Sequence, residues 1–140
     1  MIKFEFETSA DYKPDVKHKI WINNSIRNEG KIPGEISYLF CDDDYMIGQN
    51  IHFLNHDTFT DIITFSENVG NVINGSILVS LDRIKENSNL FGVSFEKELL
   101  RVMIHGALHL CGYGDKTEAE SITMRAKEDF YISKFVQDNF

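Results

Sequence analysis

Apolar and charged residues alternate at the start of the chain. Ile2, Phe4 and Phe6 stand between Lys3, Glu5 and Glu7, which predicts a strand over residues 2–6 rather than a signal peptide. Helical spacing follows. Pro14 suits a first helical position, and Val16, Ile20, Trp21 and Ile26 give an apolar stripe. Gly30 marks the stop, and Pro33-Gly34 the turn beyond it. Residues 35–41 read as a strand. Asp42-Asp43-Asp44 then offers three adjacent carboxylates. A helix start explains them better than a magnesium site, because Asp caps free N–H groups and complements the dipole. With Asp44 as cap, a short helix carries Ile47, Ile51 and Leu54. His18 and His52 take ordinary solvated or hydrogen-bonded surface roles on these two helices.

Residues 55–61 form a polar loop and 62–65 a short buried strand. A second strand, 76–81, follows a loop containing Gly70, Asn71, Asn74 and Gly75, so the two read as a wide antiparallel hairpin. Asp82 is the expected cap of a helix running to about Leu90; Gly92 breaks it and Ser94 opens the next. Near the end, Thr117-x-x-Glu120 matches a capping box, with Ile122, Ala126 and Phe130 as the inner face of a last helix. Strands interleaved with helices indicate one layered α/β or α+β domain over residues 1–140.

The helix after Ser94 carries the chemistry. His105 and His109 are four residues apart and project from one face. Val102, Met103, Ile104, Ala107, Leu108, Leu110 and Cys111 surround them, so the helix is expected to be buried. Buried imidazoles need partners, since each unsatisfied buried polar group costs about 1–3 kcal/mol. Gly112 ends the helix, Tyr113-Gly114 turns the chain back, and Asp115 arrives within reach of both rings. Two neutral imidazoles and a carboxylate suit zinc, with a fourth position open to water. The plainer alternative is a pair of core histidines bonded to backbone or carboxylates. A zinc protease would need Glu directly after the first His as general base; here that residue is Gly106.

Composition bounds these readings. Hydrophobic residues make up 42% and charged residues 26% of 140, the profile of a globular domain. No apolar run approaches the roughly 20 residues of a membrane helix. Cys41 and Cys111 lie in apolar contexts and read as free buried thiols of a cytoplasmic protein. The net charge of −8 weighs mildly against a nucleic-acid partner, without excluding a local basic face.

The stretch His105-Gly-Ala-Leu-His109-Leu-Cys-Gly-Tyr resembles the signature of the YbeY family, His-Gly-x-Leu-His-Leu-x-Gly-Tyr-Asp-His. Asp57-Thr-Phe-Thr60-Asp61-Ile-Ile-Thr-Phe65, Gly75-Ser-Ile-Leu-Val-Ser and Leu99-Leu-Arg101-Val are similar to further family segments in the same order. The resemblance implies an α+β single domain, a mixed four-stranded sheet with surrounding helices, and a zincin-like metal site on a central buried helix. It implies a zinc-dependent endoribonuclease specific for single strands, with one Zn²⁺ per chain. The work implied is 16S ribosomal RNA 3′-end maturation and ribosome quality control on the small subunit, without membrane or organic cofactor. Carried over by position, the metal ligands are His105, His109 and Asp115. Rival readings are a ribosome-associated metal-binding protein with little hydrolytic activity and, more distantly, a metallopeptidase.

Four departures from the family pattern matter. Asp115 stands for the third His, Gly114 for the Asp before it, Leu54 for an Arg and Ser76 for an Asp. Without the Arg, Arg101 is a substitute phosphate-holding residue, being one helical turn before His105. The ordinary alternative is an ion pair with Glu98 or another surface acid. Asp61 is the candidate general base, although a loop Asp more often caps its own backbone. Replacing His by Asp in the ligand set also removes one formal positive charge from a zinc site, which makes bound water less acidic. Restoring His at position 115 is therefore expected to lower the pH midpoint of activity; an unchanged or raised midpoint overturns that argument.

Overall fold

A computed structural model describes residues 1–8, 13–45 and 61–140. Its elements are β1 (Ile2–Glu7), α1 (Val16–Asn28), β2 (Ile32–Cys41), β3 (Ile62–Ser66), β4 (Val72–Ser80), α2 (Leu81–Phe91), α3 (Phe95–Leu110) and α4 (Glu118–Asn139). The strands form a four-stranded sheet in the order β1-β2-β4-β3. β1 and β4 flank β2 in parallel, while β3 runs antiparallel to β4, so the sheet is mixed and the architecture α+β. The antiparallel partners expected over residues 62–65 and 76–81 do pair, Ile63 opposite Leu78 and Thr64 opposite Ile77.

The core follows from which strand faces are apolar. Ile36, Tyr38, Phe40, Ile73, Ile77 and Val79 are buried on β2 and β4, against Leu99, Met103, Ile104, Ala107 and Leu108 of α3. Tyr38 is wholly buried, so its hydroxyl needs a partner; it donates to Met103 O at 2.8 Å. The expectation of a buried central helix therefore holds. Among the described residues no helix is long and apolar enough to cross a membrane.

Several local expectations need correction. Pro33-Gly34 is not a turn: β2 begins at Ile32, and its pairing with β4 shifts register between Pro33 and Ile36. Proline is tolerated at such an irregularity, and β1 pairs with β2 only from Ile36 onward, so Pro33 costs no bond to β1. Ser80, not Asp82, caps α2, its side chain accepting from Arg83 N–H. Helical residues begin at Asp43, so Asp44 lies inside that turn, and Asp43 is tied to Ser80 and Arg83. The rest of the helix expected over 44–54, with His52 and Leu54, lies outside the described residues, as does the polar loop up to Thr60. Cys41 is buried but Cys111 only partly so; both are free.

Of the stripe expected on α1 only Trp21 and Ile26 are buried, and α4 buries a different face from the one expected. On α1, Val16 and Ile20 are exposed while His18, Trp21, Ile22, Ser25 and Ile26 are buried. On α4, Ile122, Ala126 and Phe130 are exposed and Met124, Glu128, Tyr131, Ile132 and Phe135 face inward. The deciding contacts are tertiary. Trp21 Nε1 donates to Tyr131 O at 2.8 Å, and the Trp21 and Phe135 rings meet edge to face at 5.2 Å. These fix which sides of α1 and α4 oppose each other.

His18 is thus a core residue and not a surface one. Asp15 caps α1 in place of the Pro14 start: its side chain accepts from Lys17 N–H, and its own N–H donates to His18 Nδ1 at 3.1 Å. With Nδ1 accepting, the ring proton belongs on Nε2, which lies 3.4 Å from Glu96 Oε1 without forming a hydrogen bond. Burial lowers the His18 pKa below its ordinary value, outweighing the raising effects of the Asp15 hydrogen bond and charge. The folded protein therefore binds fewer protons here than the unfolded chain. Stability from the neutral ring is fully present above about pH 6.5 and is lost as the pH falls below it. In His18→Gln, whose amide still accepts the Asp15 N–H, the drop in urea midpoint from about pH 7 to pH 5 is expected to be shallower than in wild type. Parallel curves for the two proteins would contradict a buried neutral His18.

Candidate metal centre

α3 starts and stops where its sequence dictates. Ser94 caps it by accepting from Lys97 N–H, and Glu96 and Glu98 in the first turn complement the dipole. At the far end Gly112 takes a φ of 108°, open to glycine at little cost. Its N–H donates to His109 O and that of Tyr113 to Leu108 O, both at 3.0 Å, a Schellman closure. Asn68 Nδ2 satisfies Leu110 O at 2.7 Å. Between the histidines, Gly106 meets the sheet. A Cβ there would sit 2.7 Å from Ile62 Cδ1 and 3.0 Å from Ile77 Cγ2. The glutamate of a zinc protease is absent from this position, where a glycine packs closely on the two isoleucines.

Beside this contact α3 opens onto a cleft of about 510 Å³ whose lining includes Asp61, Ile62, Thr64, Arg101, His105, His109 and Asp115. The structure brings the three expected ligands together. Asp115 Oδ2 lies 3.2 Å from His105 Nε2 and 3.4 Å from His109 Nε2, and the ligand atoms of all three fall within 4.8 Å of one another. Tetrahedral zinc with bonds of about 2.0–2.1 Å separates its ligand atoms by roughly 3.3 Å. The donor set and the two Asp115 distances are compatible with zinc.

Glu128 on α4 orients the first imidazole. Its Oε2 lies 2.7 Å from His105 Nδ1. That bond places the proton on Nδ1 and leaves Nε2 with its lone pair toward Asp115 and His109. The other oxygen, Oε1, accepts from Arg101 Nη1 at 2.9 Å, and Arg101 Nη2 donates to Asp129 Oδ1 at 2.8 Å. Arg101 thus lines the cleft but has both terminal nitrogens on carboxylates, neither of them Glu98. Burial works to lower the His105 pKa, but the Glu128 hydrogen bond and the charges of Glu128, Asp115 and Asp61 overcome it and leave the pKa raised.

Asp115 is held by the loop on both sides. Ahead of it, the Tyr113 hydroxyl donates to Glu29 Oε1 at 2.5 Å. Glu29, a buried carboxylate at the end of α1, also takes a hydrogen bond from Tyr131 and an ion pair from Lys127 at 3.1 Å. Burial would raise the Glu29 pKa, yet these three donors lower it. After it, Ser121 Oγ donates to Asp115 O at 2.9 Å, and the Thr117–Glu120 capping box forms as expected. Gly114 has the Glu120 carboxylate against it, where a Cβ would meet Oε2 at 2.4 Å.

Asp61 stands just before β3 on the cleft wall. Burial raises its pKa, His105 and the N–H groups of Asp61 and Ile62 pull it down, and the charge of Glu128 adds to the rise; the balance is upward. Glu98 is also buried on this wall and raised for the same first reason. Sequence reasoning missed Glu128 and Glu29. For Glu128 a signal existed: with Met124, Tyr131 and Ile132 it completes one helical face, a lone acid among apolar residues.

A helix-borne His pair and an adjoining carboxylate on an open cleft form a group that could hold a metal ion, as some hydrolases do. Residues 4–136 match the family model described as Endoribonuclease YbeY, and the chain belongs to that family. It is 48% identical over 135 residues to Endoribonuclease YbeY of Flavobacterium johnsoniae, covering 96% of this chain and 97% of the relative. The protein of that name from Flavobacterium psychrophilum is 45% identical over 135 residues, with 96% of each chain covered. The solution structure of a Thermotoga maritima protein superposes with a TM-score of 0.73 at 28% identity, covering 99% of this chain and 91% of that one.

The Glu128–His105 bond gives a direct test. Glu128→Gln is expected to weaken zinc binding about 10- to 100-fold, measured by competition with a chromophoric chelator while circular dichroism checks the fold. Unchanged affinity in a folded variant would mean that His105 needs no such support.

Proposed function

We propose that this chain is a zinc-dependent endoribonuclease that cuts single-stranded RNA, with residues 1–140 acting as one domain and one ion held by His105, His109 and Asp115. The same reading gives it a cytoplasmic role in maturing the 16S ribosomal RNA 3′ end and in ribosome quality control on the small subunit. The observation that carries the proposal is the approach of two Nε2 atoms to one Asp115 oxygen at 3.2 and 3.4 Å on an open cleft. Relatives named endoribonuclease along nearly the whole chain support the reaction type.

When bound, the ion supplies Lewis-acid polarisation of a phosphoryl oxygen and a nucleophile at neutral pH. The chain's own residues do the rest. Glu128 keeps His105 in the ligating tautomer, and Arg101 holds Glu128 in place and neutralises it. The Asp61 carboxyl, with its pKa raised, accepts or returns a proton at its Oδ atoms as the phosphodiester is cut. Asp61→Asn is expected to retain zinc and to lower kcat by about 10²- to 10⁴-fold. A kcat within twofold of wild type would remove Asp61 from the chemistry.

One observation favours a second reading, a ribosome-associated metal-binding module with little hydrolysis. Asp61, Glu98, Asp115 and Glu128 all line the cleft, an acidic setting for a phosphate. Incubating purified protein with single-stranded RNA separates the two. The endoribonuclease reading expects cleavage, its loss in His109→Ala and one zinc per chain by elemental analysis. Product ends then report the route, because attack by the RNA's own 2′-hydroxyl leaves a 2′,3′-cyclic phosphate. Zinc-loaded protein that leaves RNA intact would decide for the binding module.

A further inference from the structure

We infer that Arg125 is the residue that grips RNA beside the metal centre, holding a phosphate next to the one being cut. This rests on the proposed ribonuclease reading and adds to it the point where the strand is held. A phosphate entering the cleft passes carboxylates on several sides, so it needs a guanidinium with donors to spare. Among the described residues the cleft has two arginines, Arg101 and Arg125. Arg101 is 14% exposed and gives both terminal nitrogens to Glu128 and Asp129. Arg125 is 65% exposed, and its approach to Glu128 Oε1 is 3.8 Å, too long for a hydrogen bond. Glu128 Oε1 already accepts from Arg101, and at 3.8 Å Arg125 forms no hydrogen bond to it.

The position of Arg125 matters as much as its availability. A second hollow of about 690 Å³ lies along α4, and it shares His105, Asp115, Arg125 and Glu128 with the metal cleft. Arg125 therefore stands where the two hollows meet, so a strand continuing from the ligands along α4 passes over it. Its guanidinium approaches Glu128 Oε1, whereas His105 takes Oε2, which sets it to one side of the ligand atoms. That offset suits a neighbouring phosphate rather than the reacting one. The planar fork of donors matches phosphate oxygens in pairs.

The test uses a fluorescein-labelled single-stranded RNA of about ten nucleotides, chosen to exceed one contact. Binding to metal-stripped protein is followed by anisotropy across salt concentrations, and cleavage by zinc-loaded protein gives kcat and KM. Arg125→Ala is expected to weaken binding several-fold at low salt and to reduce the salt slope by about 0.7, the share of one phosphate contact on a single strand. The loss should fall on KM, with partial recovery in Arg125→Lys. Lys134→Ala removes one positive charge from the far side of α4 and is expected to keep the wild-type slope, since Lys134 lines a separate hollow. Wild-type slope and affinity in Arg125→Ala, alongside normal cleavage by wild type, would overturn this assignment alone. A wild type that neither binds nor cuts the RNA would bring down the functional reading and this with it.

Discussion

A single buried carboxylate governs the candidate centre. Glu128 is 4% exposed, and its two oxygens serve an imidazole and a guanidinium. An acid taken that far from water is tolerable only with charge-assisted partners on both oxygens. Arg101 meets that need from α3 and His105 uses the result. The bond between α3 and α4 is therefore also the bond that fixes which ring nitrogen points at the ligand set. Helix packing and ligand geometry are one interaction here, and neither can relax without the other.

Much of this was legible in the chain because local rules agree with the fold. Ser94, the His pair, Gly112, Asp115 and the Thr117–Glu120 box are determined by neighbours in sequence, and each appears where spacing places it. The alternation in β1 likewise survives, with Ile2, Phe4 and Phe6 less exposed than the charged residues between them. What failed were faces set by distant partners. The exposed Ile20 and Phe130 look more core-like than Ser25 or Glu128 do. Yet Trp21 and Tyr131 lock the opposite sides together, and His18 caps its own helix from inside the core. A polar residue that is buried because it is satisfied carries no apolar signature, so hydrophobic periodicity passes over it.

Charge shows the same gap between sum and arrangement. The net −8 speaks of the whole surface, but the cleft's character is set by who is paired with whom. Glu128 is paired with Arg101, while burial raises the pKa values of Asp61 and Glu98. The Arg101 ion pair with Glu128 offsets part of the negative charge that the list of acids suggests. An anionic polymer therefore meets a milder field there than composition alone would foretell.

Gly106 gives the two imidazoles their footing. With no side chain between helix and sheet, α3 rests on the methyl groups of Ile62 and Ile77. The rings emerge beside that seat, roughly 60–100° around the rod, and Ile62 borders both the seat and the cleft. A side chain added there would press on Ile62 and Ile77, which would have to give way for the helix to keep its seat. A glycine at this one position thus lets the His-bearing helix lie close on the sheet.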